Sequence, residues 1–330
     1  MAAPASLHGR RVLLIGGAGF IGSNLALRLV AEGASVTVMD ALLEGYGGNP
    51  KNLEGGATDI PLLKADARDA ASVRQAIRDQ EVVVNLFAQV SHIRSLQDPF
   101  FDLDVNARAN LVVLEEVRKA ATDPFLVYAG TRGQTGEPKT LPVTEEHADD
   151  PTDMNGINKL SAEKYHRLYH RVHGLRTVSL RLGNTYGPRH QMMHGEYGVL
   201  NWFVRRALAG WPIELYGGGA QARDYTFVED AAEAFRLAML HLPGDGQHYL
   251  VGSDFEASLK HVAEMIVAAT GSGSIVEKPY PPGVKAIEVA RYKTDFRKIR
   301  AACGWHPRIG LDEGIRRTVD FYRARLADYT

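Results

Sequence analysis

Residues 10–24 read "RRVLLIGGAGFIGSN". An apolar run stops at glycines, and apolar residues at helical spacing, Leu25, Leu29 and Val30, follow. The stretch predicts a buried strand, a tight turn and a helix. Gly16, Gly19 and Gly22 stand in G-x-x-G-x-x-G spacing, with Phe20 and Ile21 between the last two. Glycine lets such a turn close and brings the helix N-terminus up to a pyrophosphate, whose charge free N–H groups and the helix dipole stabilise. A second strand, "ASVTVMD", ends on Asp40. A carboxylate there accepts hydrogen bonds from a ribose diol and repels a 2′-phosphate, so the expected cofactor is NAD rather than NADP.

Further apolar or β-branched runs come after it: "IPLLKAD", "EVVVNLFA", "PFLVYAGT" and "LRTVSLRLGN". Helical patterns over 71–78, 105–121 and 157–172 separate most of them. Strands with apolar residues on both faces, alternating with helices, predict an α/β fold with a doubly wound parallel sheet (Rossmann). Beyond residue 185 the pattern turns irregular. Its Gly-, Pro- and His-rich stretches read as loops of a smaller C-terminal substrate-binding lobe, punctuated by helices near 231–241, 259–269 and 314–326. The expected division is 1–183 with about 224–254 for the NAD-binding domain, and about 184–223 with 255–330 for the lobe. The 101–120 and 157–173 helices carry wide apolar stripes, which suggests a homodimer through them; burial within the same chain is the alternative.

Of the 330 residues, 45% are hydrophobic and 23% charged, as in soluble globular proteins. A net charge of -1 gives no reason to expect nucleic acid or an anionic membrane as partner. No run approaches the ~18 apolar residues of a membrane span. One cysteine, Cys303, excludes an intrachain disulfide; cytoplasmic residence fits, and "AACGWHP" suggests a buried residue before a turn. No metal site is expected.

The glycine spacing, together with the motifs downstream of it, resembles the extended short-chain dehydrogenase/reductase family, the nucleotide-sugar epimerases and dehydratases. "KADARD" is similar to the family's adenine-contacting turn, which implies Asp66 and Ala67. "NLFAQVS" resembles the strand end that runs along the cofactor, implying Leu86, Phe87, Ala88 and Gln89. "LDVNARANLVVLEEV" resembles a family helix that places Asn106 near the site. "LRLGNTYGPR" and "YGGGAQARDYTFVEDAAEAF" resemble segments in which Asn184 and Arg223 would hold the diphosphate of a nucleotide-sugar substrate. Paired charge-assisted bonds to phosphate suit an arginine. Lys285 and Glu288, in "KAIE", stand where the family often has a phosphate-binding arginine and a ribose-binding aspartate. The ending "AACGWHPRIGLDEGIRRTVDFYR" also resembles the family's C-terminal lobe.

The resemblance implies oxidation of a sugar hydroxyl by NAD, with a tyrosine phenolate as base, a lysine that lowers its pKa and a Ser or Thr hydroxyl on the substrate oxygen. "VYAGTRGQTG" puts Thr131 on the hydroxyl position. "DMNGINKLSAEKY" puts Lys159 on the lysine, used by both cofactor and chemistry, and Asn155 on the tyrosine. One helical turn separates Asn155 from Lys159, so both face one side. Tyr165 and Tyr169 read as core on the helix's apolar side with Leu168 and Val172. An amide does not titrate in the useful range. The acid–base group is then Thr131 through water, Lys159 itself, or His92 and Arg132 if they face the substrate; or the reaction needs little proton abstraction from that oxygen; otherwise the chain binds its ligands without turnover. The family's dehydratases carry acidic residues just after the Ser/Thr, where Arg132 and Gly133 stand here. Epimerisation is therefore expected ahead of 4,6-dehydration, and Arg132 could meet an acidic sugar.

Overall fold

The computed structural model describes residues 6–56, 59–280 and 289–330. Its first six strands are β1 (Arg11–Ile15), β2 (Ser35–Asp40), β3 (Leu62–Lys64), β4 (Val82–Asn85), β5 (Phe125–Thr131) and β6 (Thr177–Leu182). Three strands of the lobe come next, β7 (Asn184–Tyr186), β8 (Pro212–Tyr216) and β9 (Ala222–Phe227), before β10 (Asp245–Val251) returns to the main sheet. That sheet has seven strands in the order β10-β6-β5-β4-β1-β2-β3. Every neighbouring pair in it is parallel. The strand order reverses beside β1, which opens a crevice at the carboxyl ends of β1 and β4.

Alternation along each strand sends side chains to opposite faces. Val12, Leu14, Val36 and Val38 pack with Leu25 and Leu29 of α1 (Phe20–Ala31) and with Phe235 in the same layer. Leu13, Ile15 and Met39 pack with Val73 and Ile77 of α2 (Ala70–Ile77) and with Val113 and Leu114. Both faces are covered, so the strands are apolar throughout. Next along the chain come α3 (His92–Gln97) and α4 (Pro99–Leu103), a π-helical turn over Asp104–Arg108, then α5 (Ala109–Lys119). Helix α6 (Met154–His173) is capped by Asp153, whose Oδ1 accepts from the Gly156 N–H at 2.8 Å, and it ends at Gly174 with φ +72°.

The lobe is built on α7 (Val199–Leu208), β11 (Glu256–Ser258), α9 (Leu259–Thr270), β12 (Ser274–Lys278), β13 (Arg291–Tyr292) and α11 (Leu311–Arg323), while α8 (Val228–His241) and α10 (Arg297–Cys303) flank the main sheet. Strands β7, β9, β11 and β13 form one sheet, and β8 pairs with β12. Leu200, Phe203, Ile213, Val262, Ile266 and Ile315 fill this second core.

Several expectations are corrected here. The stretch beyond 185 is not mainly loop, because "PIELY" and "ARDYTF" are short strands on either side of the Gly217–Gly219 turn. Strand β9 belongs to the lobe sheet, so the chain re-enters the main domain with α8 at Val228 rather than near 224. Residues 296–305 pack on the main core through Phe296, Ile299 and Trp305, with Trp305 Nε1 donating to the Asp230 carbonyl at 2.9 Å. Tyr165 and Tyr169 do pack against the core, but Leu168 and Val172, on the same stripe of α6, lie exposed. Cys303 is half-buried at the end of its helix. No helix among the described residues is long and apolar enough to cross a membrane.

Candidate active site

The turn after β1 is shaped by close backbone approach. At Gly16, φ is +81° and a Cβ would stand 2.5 Å from the Phe87 nitrogen; at Gly22 it would stand 2.6 Å from the Gly16 carbonyl oxygen. Only glycine fits either place. Helix α1 has no acidic residue in its first turn, and its N-cap, Gly19, offers no side-chain acceptor. Its end therefore keeps N–H groups and positive dipole for an anion.

A cleft of roughly 1150 Å³, part of it open to solvent, runs over this turn. Gly16, Gly19, Phe20, Ile21, Gly22, Asp40, Asp66, Ala67, Leu86, Phe87, Ala88 and Gln89 all line it. Asp40 Oδ1 accepts from Leu42 N–H at 2.9 Å and Oδ2 from Ala18 N–H at 3.1 Å. Burial raises its carboxyl pKa, and these two bonds oppose the shift. Each oxygen retains capacity for a further donor. Asp66 is held by the Arg68 fork at 2.6–3.0 Å, which places its carboxyl below the usual range. Asn106 does not reach the cleft. It is fully buried behind it, bonded to the main chain of Gln89 in both directions, at 3.1 and 2.8 Å, so it shapes the wall instead of touching a ligand. Its π-helical turn, which no periodicity announced, is what turns its amide inward.

A second cavity adjoins the first and shares Phe20, Ile21, Leu86, Ala88 and Gln89 with it. His92, Thr131, Arg132, Asn155, Lys159 and Asn184 line this one. Lys159 sits under the carboxyl end of β5, its Nζ donating to the Ala129 carbonyl at 2.6 Å and lying 4.5 Å from the Tyr128 ring centre. Burial lowers its pKa to about 7, against the pull of Asp102 and Glu163. Thr131 Oγ1 accepts from Gly133 N–H at 3.3 Å and has its own proton to give. Arg132 Nε donates to Asn184 Oδ1 at 3.0 Å, and the buried Asn184 Nδ2 has no partner among the described residues. A ligand oxygen would satisfy that donor. Arg223 is buried outside this lining, with its guanidinium on the carbonyls of Ala222 and Val289. Lys285 and Glu288 lie outside the described residues. Among the described residues no group of three or more His, Cys, Asp or Glu is placed to hold a metal ion.

The pattern of the NAD dependent epimerase/dehydratase family matches residues 12–252. The chain belongs to that family. Within it, the chain is 34% identical over 314 residues to a UDP-glucose 4-epimerase of Mycolicibacterium smegmatis, covering 95% of this chain and 98% of that one. It is 33% identical to a dTDP-glucose 4,6-dehydratase of Xanthomonas campestris, covering 94% and 92%. The crystal structure of Thermus thermophilus UDP-glucose 4-epimerase in complex with NAD superposes with a TM-score of 0.85 at 36% identity, over 96% of this chain and 99% of that one.

As a member of the epimerase/dehydratase family, of the extended short-chain dehydrogenase/reductase type, the protein is an NAD-dependent enzyme of sugar nucleotides. The glycine cradle and the uncapped start of α1 suit the pyrophosphate, and Asp40 suits a ribose without a 2′-phosphate. NAD supplies hydride acceptance and return. The chain's residues hold the sugar, orient it and move its proton.

Asn155 is held in this cavity by its amide. Its Nδ2 donates to the Gln89 carbonyl at 2.5 Å, and its Oδ1 has no partner among the described residues. The amide is tied into a buried network in which Asp102 takes amide N–H groups from Gln89, Asn106 and Asn158 at 2.8, 3.0 and 2.8 Å. No sequence signal had singled out Asp102 or Asn158. Both lie on the buried faces of their helices, where a polar residue reads in sequence as a solvent-facing one.

Proposed function

We propose that the protein is a nucleotide-sugar epimerase: it oxidises a ring hydroxyl to a ketone and reduces the ketone from the other face, with an acid–base group other than a residue-155 side chain. The observation that carries this reading is the lining of the sugar-side cavity. Thr131 and Lys159 are together there, while the only carboxyl group among its described lining residues is Glu196, which pairs with Arg94. Elimination of water from the sugar needs an acid for the leaving hydroxyl. Oxidation and re-reduction at one carbon needs only one group that takes and returns a proton. Asn184 Nδ2 and Arg132 are the donors best placed for the diphosphate or an acidic sugar. The names of the similar UDP-glucose 4-epimerases favour a UDP-sugar.

Incubating the NAD-loaded protein with UDP-, dTDP-, GDP- and CDP-sugars is expected to interconvert one epimer pair, read by NMR of the anomeric protons. Tight binding without turnover of any of them would sink the reading. A homodimer through the 101–120 and 157–173 helices is part of the proposal. It is supported by Phe100, Leu103, Ile157, Leu168 and Val172 on these neighbouring helices, Phe100 being 79% and Val172 60% exposed. Light scattering is expected to give twice the chain mass, and the chain mass for a Leu168→Glu, Val172→Glu double variant.

A further inference from the structure

The side chain facing Thr131 across the sugar cavity is His92. Ser91 caps α3 through the Arg94 N–H at 3.0 Å, which makes His92 the first residue of that helix, two positions after the Gln89–Val90 wall. Its Nδ1 lies 2.5 Å from Asp153 Oδ2. Asp153 is almost wholly buried, and its other oxygen is occupied by the start of α6. Burial pushes this carboxyl up, but the bonds from His92 and Gly156 more than offset it and leave it below its ordinary value. A carboxylate only accepts, so Nδ1 carries the hydrogen and Nε2 of the neutral ring keeps its lone pair. Nε2 has no partner among the described residues, and the imidazole is 39% exposed, toward the cavity it lines.

Gly133 brings the ring and the threonine together. A Cβ there would lie 3.5 Å from His92 Cε1 and 3.8 Å from Thr131 Oγ1. The absence of a side chain at 133 leaves that space for a substrate oxygen. Lys159, the competing base, is turned to the Ala129 carbonyl, and Asn155 to the Gln89 carbonyl. Neither side chain of α6 is therefore aimed at the gap that the imidazole faces.

We propose that His92, oriented by Asp153, is the general acid–base group of the reaction. The assignment rests on the epimerase reading. The O–H proton of the sugar carbinol passes to His92 Nε2, the C–O bond becomes a carbonyl, and the C–H hydrogen leaves with its electron pair to NAD. After the ketone turns over, the same hydride returns to its opposite face and the imidazolium gives its proton back to the oxygen. No oxidant is consumed. Thr131 holds the oxygen, Asn155 Oδ1 offers a neighbouring hydroxyl an acceptor, and Asp153 is a positioning residue that fixes the tautomer and stabilises the imidazolium.

His92→Gln retains a hydrogen-bonding group toward Asp153 and cannot titrate. It is expected to lower kcat by about 10²–10⁴-fold while the Kd for the sugar nucleotide stays within about threefold. His92→Ala is expected to regain part of its rate when free imidazole is added, a result that a folding defect would not produce. Asp153→Asn preserves the cap of α6; it is expected to lower kcat by about tenfold or more with KM unchanged. If the wild type turns over and His92→Gln retains more than about a third of its kcat, the dyad is overturned and the epimerase reading stands. If the wild type binds NAD and sugar nucleotide but turns over nothing, both fall together.

Discussion

Lys159→Met is expected to lower kcat, through loss of the charge it tunes beside the reacting oxygen, and, at pH 6, to raise the melting temperature of the cofactor-free protein. The two effects have one cause. Nζ is fully buried, where a positive charge is costly, and burial brings its pKa from 10.5 to about 7. At about 1.4 kcal/mol per unit, that shift corresponds to a few kcal/mol held against the protonated amine in the folded state. Methionine fills the stem volume and forfeits the bond to the Ala129 carbonyl, worth about 1 kcal/mol, and the cation's contact with the Tyr128 ring, worth about 0.5–2 kcal/mol. The cost of the buried charge exceeds the worth of the two together, so the variant is more stable. The sign with pH comes from the depressed pKa. Above about 10.5 both folded and unfolded lysine are neutral and the penalty is absent; it grows as pH falls toward about 7 and is complete below that. Melts of both proteins at pH 6 and at pH 10 check this. An equal difference at the two pH values would show that the amine does not titrate in that window. The protein thus accepts a destabilising group at its active site, where a lysine that loses its proton near neutrality can tune the charge around the reacting oxygen.

Asp102→Ala is expected to cost about 3–5 kcal/mol, a fall in melting temperature on the order of 10 °C. Asp102 is fully buried, and its two oxygens receive the side-chain amides of Gln89, Asn106 and Asn158. Alanine leaves the N–H that each of these three amides gives to Asp102 without a partner in a buried place. Asp102→Asn is no remedy, because one acceptor becomes a donor that points at donors. The damage is expected to reach the cofactor as well, since Gln89 forms the wall between the two cavities. NAD affinity measured at a temperature where the variant remains folded is expected to fall with it. A variant that melts within about 2 °C of wild type would mean that the network is not closed in the way described.

Six of the seven parallel strands are legible as apolar or β-branched runs, near-continuous in β1, β4 and β5 because both faces there are buried, while β3 is a short, exposed edge strand. The seventh, "DGQHYLV", was missed: it is an edge strand whose first half is polar and half solvated. The lobe's strands are short and set among Gly- and Pro-rich turns, so no alternation runs long enough to register as strand. The candidate site divides in the same way. The glycine turn, Asp40, Thr131 and Lys159 lie within or beside regular elements at fixed spacing, and they arrive in the two cavities. Asn106 was placed one layer too far forward, because a π-helical turn changes the direction of every side chain it carries. Arg223 stands where its strand puts it, yet its guanidinium is engaged with main-chain carbonyls, a choice of rotamer that no spacing encodes.

By itself the sequence determined the parallel sheet, the NAD turn and an untitratable amide at residue 155, since these depend on local spacing and on which atoms a residue possesses. Only the tertiary structure brings together the pair proposed as the acid–base group. His92 and Asp153 are 61 positions apart, on the first turn of one helix and the cap of another, and they meet at 2.5 Å because those two helices pack side by side over the same cavity.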